Sequence, residues 1–281
     1  MNQKKDLFLT VFTPTYNRKH TLHRVFESIR KQSLLKVDNE YIFEWIIVDD
    51  GSTDGTRELV DKWKKEVDFP IRYVYQSNLG KPTASRKGIE KAKGELFLFA
   101  DSDDAFLPET FETFHDIWHN FNDEDREKCG GIGVLCQDQF GNRIGCDYPV
   151  THKLIPSIEA VYGWRDIGLG ETWAALKTQN LKKAFKIPNE AKNLKFIPES
   201  FFWSRIVFEI QPYSFFINKV LRIYYRNESD SISENVRLKY PEGFLFESKW
   251  FVTKYWYIVF RYPKVYLKHL IKIIYYYNKV N

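Results

Sequence analysis

The sequence predicts an α/β fold in which a mostly parallel sheet is flanked by helices, with a helical extension at the C-terminal end. Three observations predict it. Apolar runs of β-type residues alternate with stretches of helical periodicity, aspartates follow two of the apolar runs, and the last part of the chain is basic and aromatic. Such alternation is typical of βαβ units, whose strands are parallel.

Four apolar runs in the first half of the chain are the predicted strands. A helix is expected after the second run, where Ser52 or Thr53 can cap it, and another after the fourth, where Pro108 precedes an acidic residue. Beyond Cys129 the runs shorten, which predicts smaller antiparallel pieces and loops. The predicted strands are Leu7 to Phe12, Phe43 to Val48, Ile71 to Tyr75 and Glu95 to Ala100.

Composition excludes several classes of protein. A mean hydropathy of -0.45 does not fit a multi-span membrane protein. The N-terminal residues lack the apolar core and cleavage site of a signal peptide, so a cytoplasmic location is predicted. Cys129, Cys136 and Cys146 form no C-x-x-C pair, which predicts reduced structural thiols.

The positive charge is concentrated in the tail. Val236 to Asn281 holds nine Lys/Arg and two Asp/Glu, so this segment is +7 and the preceding 235 residues carry −2 of the formal +5. A nucleic-acid-binding protein usually has a basic face near its reading element, and here the charge is far from the motifs. A membrane surface is therefore the predicted partner of the tail, and nucleic acid is not.

Aspartates stand where chemistry is expected in an open α/β sheet, at the carboxyl ends of strands. The second run ends in Asp49-Asp50-Gly51-Ser52, and the fourth is followed by Asp101-Ser102-Asp103-Asp104. Residues i and i+2 of an extended segment point the same way, so Asp101 and Asp103 can face one cleft. Paired carboxylates suit a hard cation. The alternative is a turn with a helix cap at each position.

Four motifs in this order resemble those of family 2 glycosyltransferases. The resemblance covers residues 7 to 120 most closely and extends to about residue 226, and it implies a GT-A fold, a nucleotide-sugar donor and inversion at the anomeric carbon. The motifs are Tyr16-Asn17, VDDGSTDGT at Val48 to Thr56, NLGKPTASRKGI at Asn78 to Ile89 and FADSDD at Phe99 to Asp104.

The resemblance also implies roles for individual residues. Asp50 would accept a hydrogen bond from the nucleotide base, Asp101 would touch the ribose, and Asp103 would bind Mn²⁺ or Mg²⁺ between the phosphates. Many family members have Ala-Arg-Asn where this chain has Ala84-Ser85-Arg86, so Arg86 is given no role. The implied nucleotide-binding residues are Pro14, Tyr16, Asp50, Lys81 and Asp101.

The second half resembles the acceptor side of the same family. IPESFFWSRI at Ile197 to Ile206 matches its acidic motif, with Glu199 as the implied catalytic base and Arg205 at the basic position. Glu171 in GLGETW is the competing carboxylate. The following INKVLRIYY, at Ile217 to Tyr225, resembles a pair of strands that closes the domain.

These observations predict a catalytic domain over residues 1–228, with a nucleotide-sugar-binding half (1–120) and an acceptor-binding half (121–228), and a helical tail over 229–281. The boundary is the SDSIS segment at Ser229 to Ser233. The predicted activity is transfer of a sugar, which the resemblance implies is UDP-linked, to a saccharide or lipid-linked saccharide acceptor in surface-polysaccharide assembly. A nucleotidyltransferase and a non-catalytic nucleotide- or polysaccharide-binding protein are the alternatives.

The tail is predicted to lie on the inner face of the cell membrane. Phe244 to Phe260 is aromatic but too charged to span a bilayer. A helix is expected to start at Tyr262-Pro263, with Lys264, Lys268 and Lys272 forming a basic stripe toward anionic headgroups. The alternative is a helical pair packed against the catalytic domain, or a homodimer contact.

Overall fold

The computed structural model describes residues 7–164, 167–210, 212–225 and 239–280, so the predicted boundary at Ser229 to Ser233 lies outside the described residues. The chain forms two compact units, Met1–Lys182 with Pro212–Arg226 and Lys183–Gln211 with Asn227–Asn281. Residues 183–211, assigned from the sequence to the acceptor-binding half, thus belong to the unit that holds the C-terminal helices. The division of the chain into a catalytic domain and a tail stays a prediction.

The first unit contains the sheet and most of the helices. Its strands are β1 (Leu9–Thr15), β2 (Lys36–Val37), β3 (Glu40–Tyr41), β4 (Phe43–Asp49), β5 (Ile71–Tyr75), β6 (Leu96–Phe99), β7 (Ala105–Phe106), β8 (Cys129–Gln137), β9 (Arg143–Ile144), β10 (Leu154–Pro156), β11 (Thr172–Lys177) and β12 (Tyr213–Ile223). Its helices are α1 (Lys19–Arg30), α2 (Thr56–Glu66), α3 (Lys81–Lys91), α4 (Thr110–Asn120) and α5 (Asp123–Lys128), with a π-helical turn at Glu159–Gly163. A further helix, α6 (Thr178–Ala184), begins in this unit and ends in the second.

The main sheet has the order β10-β12-β8-β11-β6-β1-β4-β5. The four strands predicted in the first half are its parallel part, because β1 pairs in parallel with β4 and β6, and β4 with β5. The second half adds β11, which is antiparallel to both β6 and β8. The carboxyl ends of the parallel strands therefore meet at one edge, where the predicted aspartates follow β4 and β6.

Two local predictions were wrong. α2 begins at Thr56, behind Gly55 at a φ of 86°, because Ser52 and Thr53 are bound in the loop before it. Ile217 to Tyr225 is not a pair of strands, since all of its strand residues lie in β12. This strand stays extended because β8 pairs with it on one side, and β10 and β7 pair with its two ends on the other.

The hydrophobic core explains why these segments form strands and helices. All residues of β1 and β4 are buried, which suits continuous apolar runs in the centre of a parallel sheet. Phe26 of α1 stacks on Trp63 of α2 with ring centroids 4.3 Å apart. The Trp45 indole donates to Thr13 Oγ1 at 3.0 Å, so its buried N–H is satisfied. Cys129 and Cys136 are buried free thiols.

The second unit is helical. It contains a 3₁₀ turn at Asn189–Ala191, α7 (Glu199–Arg205), a π-helical turn at Ile206–Ile210, α8 (Pro241–Lys254), a 3₁₀ turn at Trp256–Phe260 and α9 (Pro263–Val280). No helix within the described ranges is long and apolar enough to cross a bilayer. The predicted helix start at Pro263 is confirmed.

α8 and α9 pack against each other along one face of each helix. The His269 ring lies flat on Phe251 with centroids 3.8 Å apart, and Tyr276 stacks on Phe244. The predicted stripe of outward lysines is only partly right, because Lys272 is half-buried with its ammonium 3.9 Å from the buried Glu247 carboxylate.

Candidate functional site

The loops that follow β1 and β4 are tied to each other. Asn17, in the left-handed region at a φ of 52°, donates its backbone N–H to Ser52 Oγ at 2.9 Å. Its side-chain oxygen accepts from the backbone N–H of Thr53 at 2.8 Å. Tyr16 stands beside this junction with 41% of its surface exposed, whereas Pro14 is buried within β1. An exposed aromatic ring on a fixed loop is suited to packing on a nucleotide base.

Asp50 fixes the loop that follows β5. Its carboxylate is 5% exposed and accepts hydrogen bonds from Gln76 Nε2 at 2.7 Å and from the backbone N–H groups of Leu79 and Gly80, both at 2.8 Å. Gly51 makes the approach feasible, because its φ is 92° and a Cβ there would lie 3.0 Å from the Asn78 backbone nitrogen. Two of the three bonds reach Oδ1, so Oδ2 keeps more accepting capacity for a ligand.

Lys81 and Asp101 form an ion pair at the carboxyl edge of the sheet. Lys81 is the first residue of α3, and its ammonium lies 2.8 Å from Asp101 Oδ1. A second cation, Arg222, lies 3.6 Å from Asp101 Oδ2. Burial opposes ionisation of Asp101, but Lys81 and Arg222 outweigh it and lower the pKa of this carboxyl below its ordinary value. Two predicted nucleotide-binding residues are thus in contact.

Arg222, on β12, forms ion pairs with three carboxylates, those of Asp101, Asp104 and Glu171. It is 6% exposed and bonds Asp104 through both Nε, at 2.9 Å, and Nη2. Its Nη1 lies 3.3 Å from Glu171 Oε1. Burial opposes the charge of Arg222, but Asp104 and Asp101 raise its pKa above the ordinary value. Burial raises the pKa of Asp104 to about 7 despite Arg222, because Asp101 and Asp103 are also close.

The sequence reasoning missed Arg222 as a member of the site. A signal was present, since a single arginine interrupts the apolar run Val220 to Ile223. A charged residue inside a buried strand is seldom left without an opposite charge, so it predicts a buried partner. Which acids were the partners depended on the long-range pairing of β12 with β7 and β8.

Asp103 stands between Asp101 and Asp104 but differs from both. It is half-buried, and its backbone carbonyl accepts from Arg24 Nη1 at 2.9 Å. Among the residues that the structure describes, none forms an ion pair with the Asp103 carboxylate, and no group of three or more His, Cys, Asp or Glu is arranged to hold a metal. A single accessible carboxylate fits a cation whose other ligands are phosphate oxygens and water.

The predicted acceptor-side residues lie in different units. Glu171 belongs to the first unit, next to Arg222. Glu199 is the half-buried first residue of α7 in the second unit. Arg205, at the end of α7, bonds Glu209 at 2.8 Å and the backbone carbonyls of Ala184 and Lys186 at 2.6 Å, so it organises its own unit.

Comparison with protein families and curated proteins identifies relatives of the first part of the chain. Residues 10–123 match the model of glycosyl transferase family 2. A putative teichuronic acid biosynthesis glycosyltransferase, TuaG of Bacillus subtilis, is 36% identical over 105 residues, which are 37% of this chain and 39% of the relative. Poly(ribitol-phosphate) beta-N-acetylglucosaminyltransferase TarS of Staphylococcus aureus is 34% identical over 104 residues, 37% of this chain and 17% of TarS. The match therefore covers well under two thirds of either relative.

Solved structures are similar over more of the chain. The S. aureus TarS 1-349 complex with UDP-GlcNAc has a TM-score of 0.62 and 19% identity, covering 88% of this chain and 67% of that one. The mannosyltransferase PcManGT from Pyrobaculum calidifontis, in complex with GDP-Man and Mn²⁺, has a TM-score of 0.53 and 17% identity, covering 88% and 64%. The likeness confirms the predicted GT-A fold.

Proposed function

Because residues 10–123 match the model of glycosyl transferase family 2, we propose that this chain transfers one sugar from a nucleotide sugar to a hydroxyl acceptor. The observation that carries the proposal is the contact of Lys81 with Asp101 directly beside the accessible Asp103, at the carboxyl edge of the parallel sheet. A lysine can contact a sugar diphosphate directly, and an accessible carboxylate can contact it through a divalent cation. UDP is the proposed nucleotide, supported by the UDP-GlcNAc complex of TarS.

Asp103 is the proposed ligand of Mn²⁺ or Mg²⁺. The ion would stabilise the negative charge that develops on the leaving diphosphate. Lys81 would add a positive charge from the start of α3, where backbone N–H groups also favour an anion. Tyr16 would pack on the base, with Pro14 buried beneath that loop, and Asp50 would accept from the base through Oδ2 while holding the Leu79–Gly80 backbone. Asp101, kept ionised by Lys81 and Arg222, would accept from the ribose.

The reaction is a single displacement with inversion. A carboxylate takes the proton of the acceptor hydroxyl, the acceptor oxygen bonds to C1 of the sugar, and the bond from C1 to the diphosphate oxygen breaks with its electrons leaving on the diphosphate. Glu199 is the proposed base. Glu171 is its rival, and its contact with Arg222 in the same cluster as Asp101 supports it.

The acceptor is proposed to be a saccharide or a lipid-linked saccharide in bacterial surface-polysaccharide assembly. Support comes from the names of relatives, among them a teichuronic acid biosynthesis glycosyltransferase and an abequosyltransferase, RfbV of Salmonella typhimurium, 32% identical over 128 residues. A lipid-linked acceptor would be met on the cytoplasmic face of the membrane, where the basic tail would hold the enzyme.

Release of nucleotide from candidate donors tests this function. The protein is incubated with UDP-, GDP- or CDP-linked sugars and Mn²⁺, and separately with nucleoside triphosphates and sugar phosphates. Slow release of a nucleoside diphosphate from a nucleotide sugar is expected, since water can replace the acceptor. Release of pyrophosphate from a triphosphate would instead identify a nucleotidyltransferase. Donor binding without any release, also in the presence of cell-envelope acceptors, would identify a binding protein.

A further inference from the structure

The outward side of α9 is apolar, whereas most surface helices present polar residues on that side. In α9, Val265, His269 and Tyr276 are buried, and the rings of His269 and Tyr276 stack on Phe251 and Phe244 of α8. At 3.6 residues per turn, the opposite side of the helix carries four aliphatic residues, which we call the outer face of α9. All four are exposed, with 67% of the Ile274 surface accessible. They are Leu267, Leu270, Ile271 and Ile274.

A helix of this kind is apolar on both sides. A surface helix in a globular protein normally buries its apolar stripe and presents charged residues on the opposite face. α9 already has its buried stripe, so the outer face is additional apolar surface that no residue within the described ranges covers. Contiguous exposed aliphatic residues of this kind mark an interaction surface.

Lysines flank the outer face. Lys264 and Lys268 line one open groove together with Leu267, Ile271 and Tyr275, so cationic and apolar groups are within reach of the same ligand. α9 contains four lysines and no acidic residue. Lys264 and Lys268 lie beside the outer face, whereas Lys272 lines the same groove with its ammonium 3.9 Å from the Glu247 carboxylate.

We propose that the outer face of α9 inserts into the surface of an anionic lipid bilayer, with Lys264 and Lys268 against the headgroup phosphates. An interfacial helix combines an apolar face with lysines beside it, and each lysine near the surface strengthens attraction to anionic lipid. A second copy of the chain is a poorer partner, because two outer faces meeting would bring lysine-rich helices of equal charge together. This inference specifies which residues would bind the membrane, and it rests on the membrane location given with the proposed function.

The turn between α8 and α9 adds aromatic side chains of the kind found at membrane interfaces. Trp256, Tyr257 and Phe260 are exposed, with 81% of the Phe260 surface accessible. Trp and Tyr favour the headgroup level, where the ring is apolar and its polar atom stays hydrated. A basic segment with exposed aromatic and aliphatic residues is therefore suited to lie on a bilayer, in contrast to a spanning helix.

Flotation with lipid vesicles tests the proposal. The full chain is mixed with vesicles of phosphatidylcholine alone or with phosphatidylglycerol added. Flotation is expected with the anionic vesicles and abolished by Ile271→Glu/Ile274→Glu. Its matched control, Phe140→Glu/Val161→Glu, also places acids at exposed apolar positions but in the first unit, and should float like the wild type. Lys264→Gln/Lys268→Gln should weaken partitioning about 30-fold, roughly fivefold per lysine, whereas Lys31→Gln/Lys62→Gln should not.

Two outcomes would overturn the proposal. One is the absence of flotation with either vesicle. The other is flotation that is equal for the wild type and for Ile271→Glu/Ile274→Glu. Light scattering adds a test of the rival partner. If the wild type is a dimer that does not bind vesicles, and Ile271→Glu/Ile274→Glu is a monomer, the outer face belongs to a contact with a second copy. UDP release is measured in parallel, and failure of release with normal flotation would count against the proposed transferase alone.

Discussion

Arg222 is the residue on which the acidic cluster most depends. Replacing it by Met would leave Asp101, Asp104 and Glu171 without their shared cation, and removing one partner of a buried ion pair destabilises a protein by about 3–5 kcal/mol. We expect Arg222→Met to lower the free energy of unfolding in urea by this amount. Arg222→Lys should lose less, because it keeps the charge but not the paired N–H groups.

The control for Arg222 is Arg30→Met. Arg30 is half-exposed, and its one ion pair within the described part of the chain is with Glu27 of its own helix, at 3.0 Å. Exposed pairs of this kind contribute about 0–1 kcal/mol. If Arg222→Met were as stable as Arg30→Met, the cluster would not depend on its buried guanidinium.

Asp50 has two roles that nucleotide selectivity can separate. A direct bond to the base favours uracil, whose ring N–H donates, over cytosine, whose corresponding ring nitrogen accepts. With loss of a charged hydrogen bond of about 1.5–3 kcal/mol, Asp50→Asn should weaken UDP binding by at least about tenfold more than CDP binding. Equal weakening for both nucleotides, measured by calorimetric titration, would restrict Asp50 to holding the loop at Leu79 and Gly80.

The two candidate bases are distinguished by their kinetics. Loss of general base catalysis lowers kcat about 10²- to 10⁴-fold, while donor affinity should change little because the base acts on the acceptor. We expect this profile for Glu199→Gln in UDP release from the donor, where water replaces the acceptor. Glu66→Gln, on the surface of α2, is the matched control. The profile in Glu171→Gln with normal turnover by Glu199→Gln would reverse the assignment.

At the scale of elements, the parallel strands could be predicted because each is a short apolar run that the sheet buries entirely. β5 was predicted to the residue, and β4 ends one residue after its predicted limit. The start of α2 was not predictable from capping residues, since Ser52 and Thr53 form hydrogen bonds with Asn17, more than 30 positions away. β12 was misjudged for a similar reason: only its distant partners β7, β8 and β10 keep it as one strand.

The candidate site was predictable where its residues follow a strand locally. Asp50, Asp101 and Asp103 stand at strand ends that the pattern itself identifies. The contact of Lys81 with Asp101 was not predictable from either motif alone, because it requires α3 to begin beside β6. Arg222 and its carboxylates depend on a sheet pairing that joins residues more than 50 positions apart.

The pairing of α8 with α9 makes a pH-dependent contribution to stability. Burial, followed by Lys272 and Lys268, lowers the pKa of His269 from 6.5 to about 3. The folded state thus keeps His269 neutral, whereas the unfolded chain takes up a proton as the pH falls below 6.5. Stability is fully present above that pH and is lost as the pH falls toward 3.

The expected size of this effect is a loss of about 2 kcal/mol between pH 7 and pH 5. Urea unfolding of the wild type and of His269→Gln at both pH values measures it, since Gln removes the titration while other groups, including Glu247, are common to both proteins. The stability advantage of the wild type should shrink by this amount at pH 5. An advantage that does not change with pH would show that His269 titrates normally in the folded state.

For the whole molecule, the chain combines an α/β unit that contains the sheet with a second unit that is helical. The family match stops at residue 123, while the structural likeness to TarS covers 88% of the chain. The sequence match is thus confined to the part of the chain that contains Asp50, Lys81, Asp101 and Asp103, whereas the likeness in fold extends beyond it.

One calorimetric measurement tests whether Asp103 forms a metal-dependent nucleotide site. UDP is titrated into the wild type, Asp103→Asn and the control Asp116→Asn, each with and without Mn²⁺. If Asp103 binds the ion, Mn²⁺ should strengthen UDP binding in the wild type and in Asp116→Asn, and a folded Asp103→Asn should lose this enhancement. An undiminished Mn²⁺-dependent gain in Asp103→Asn would contradict it.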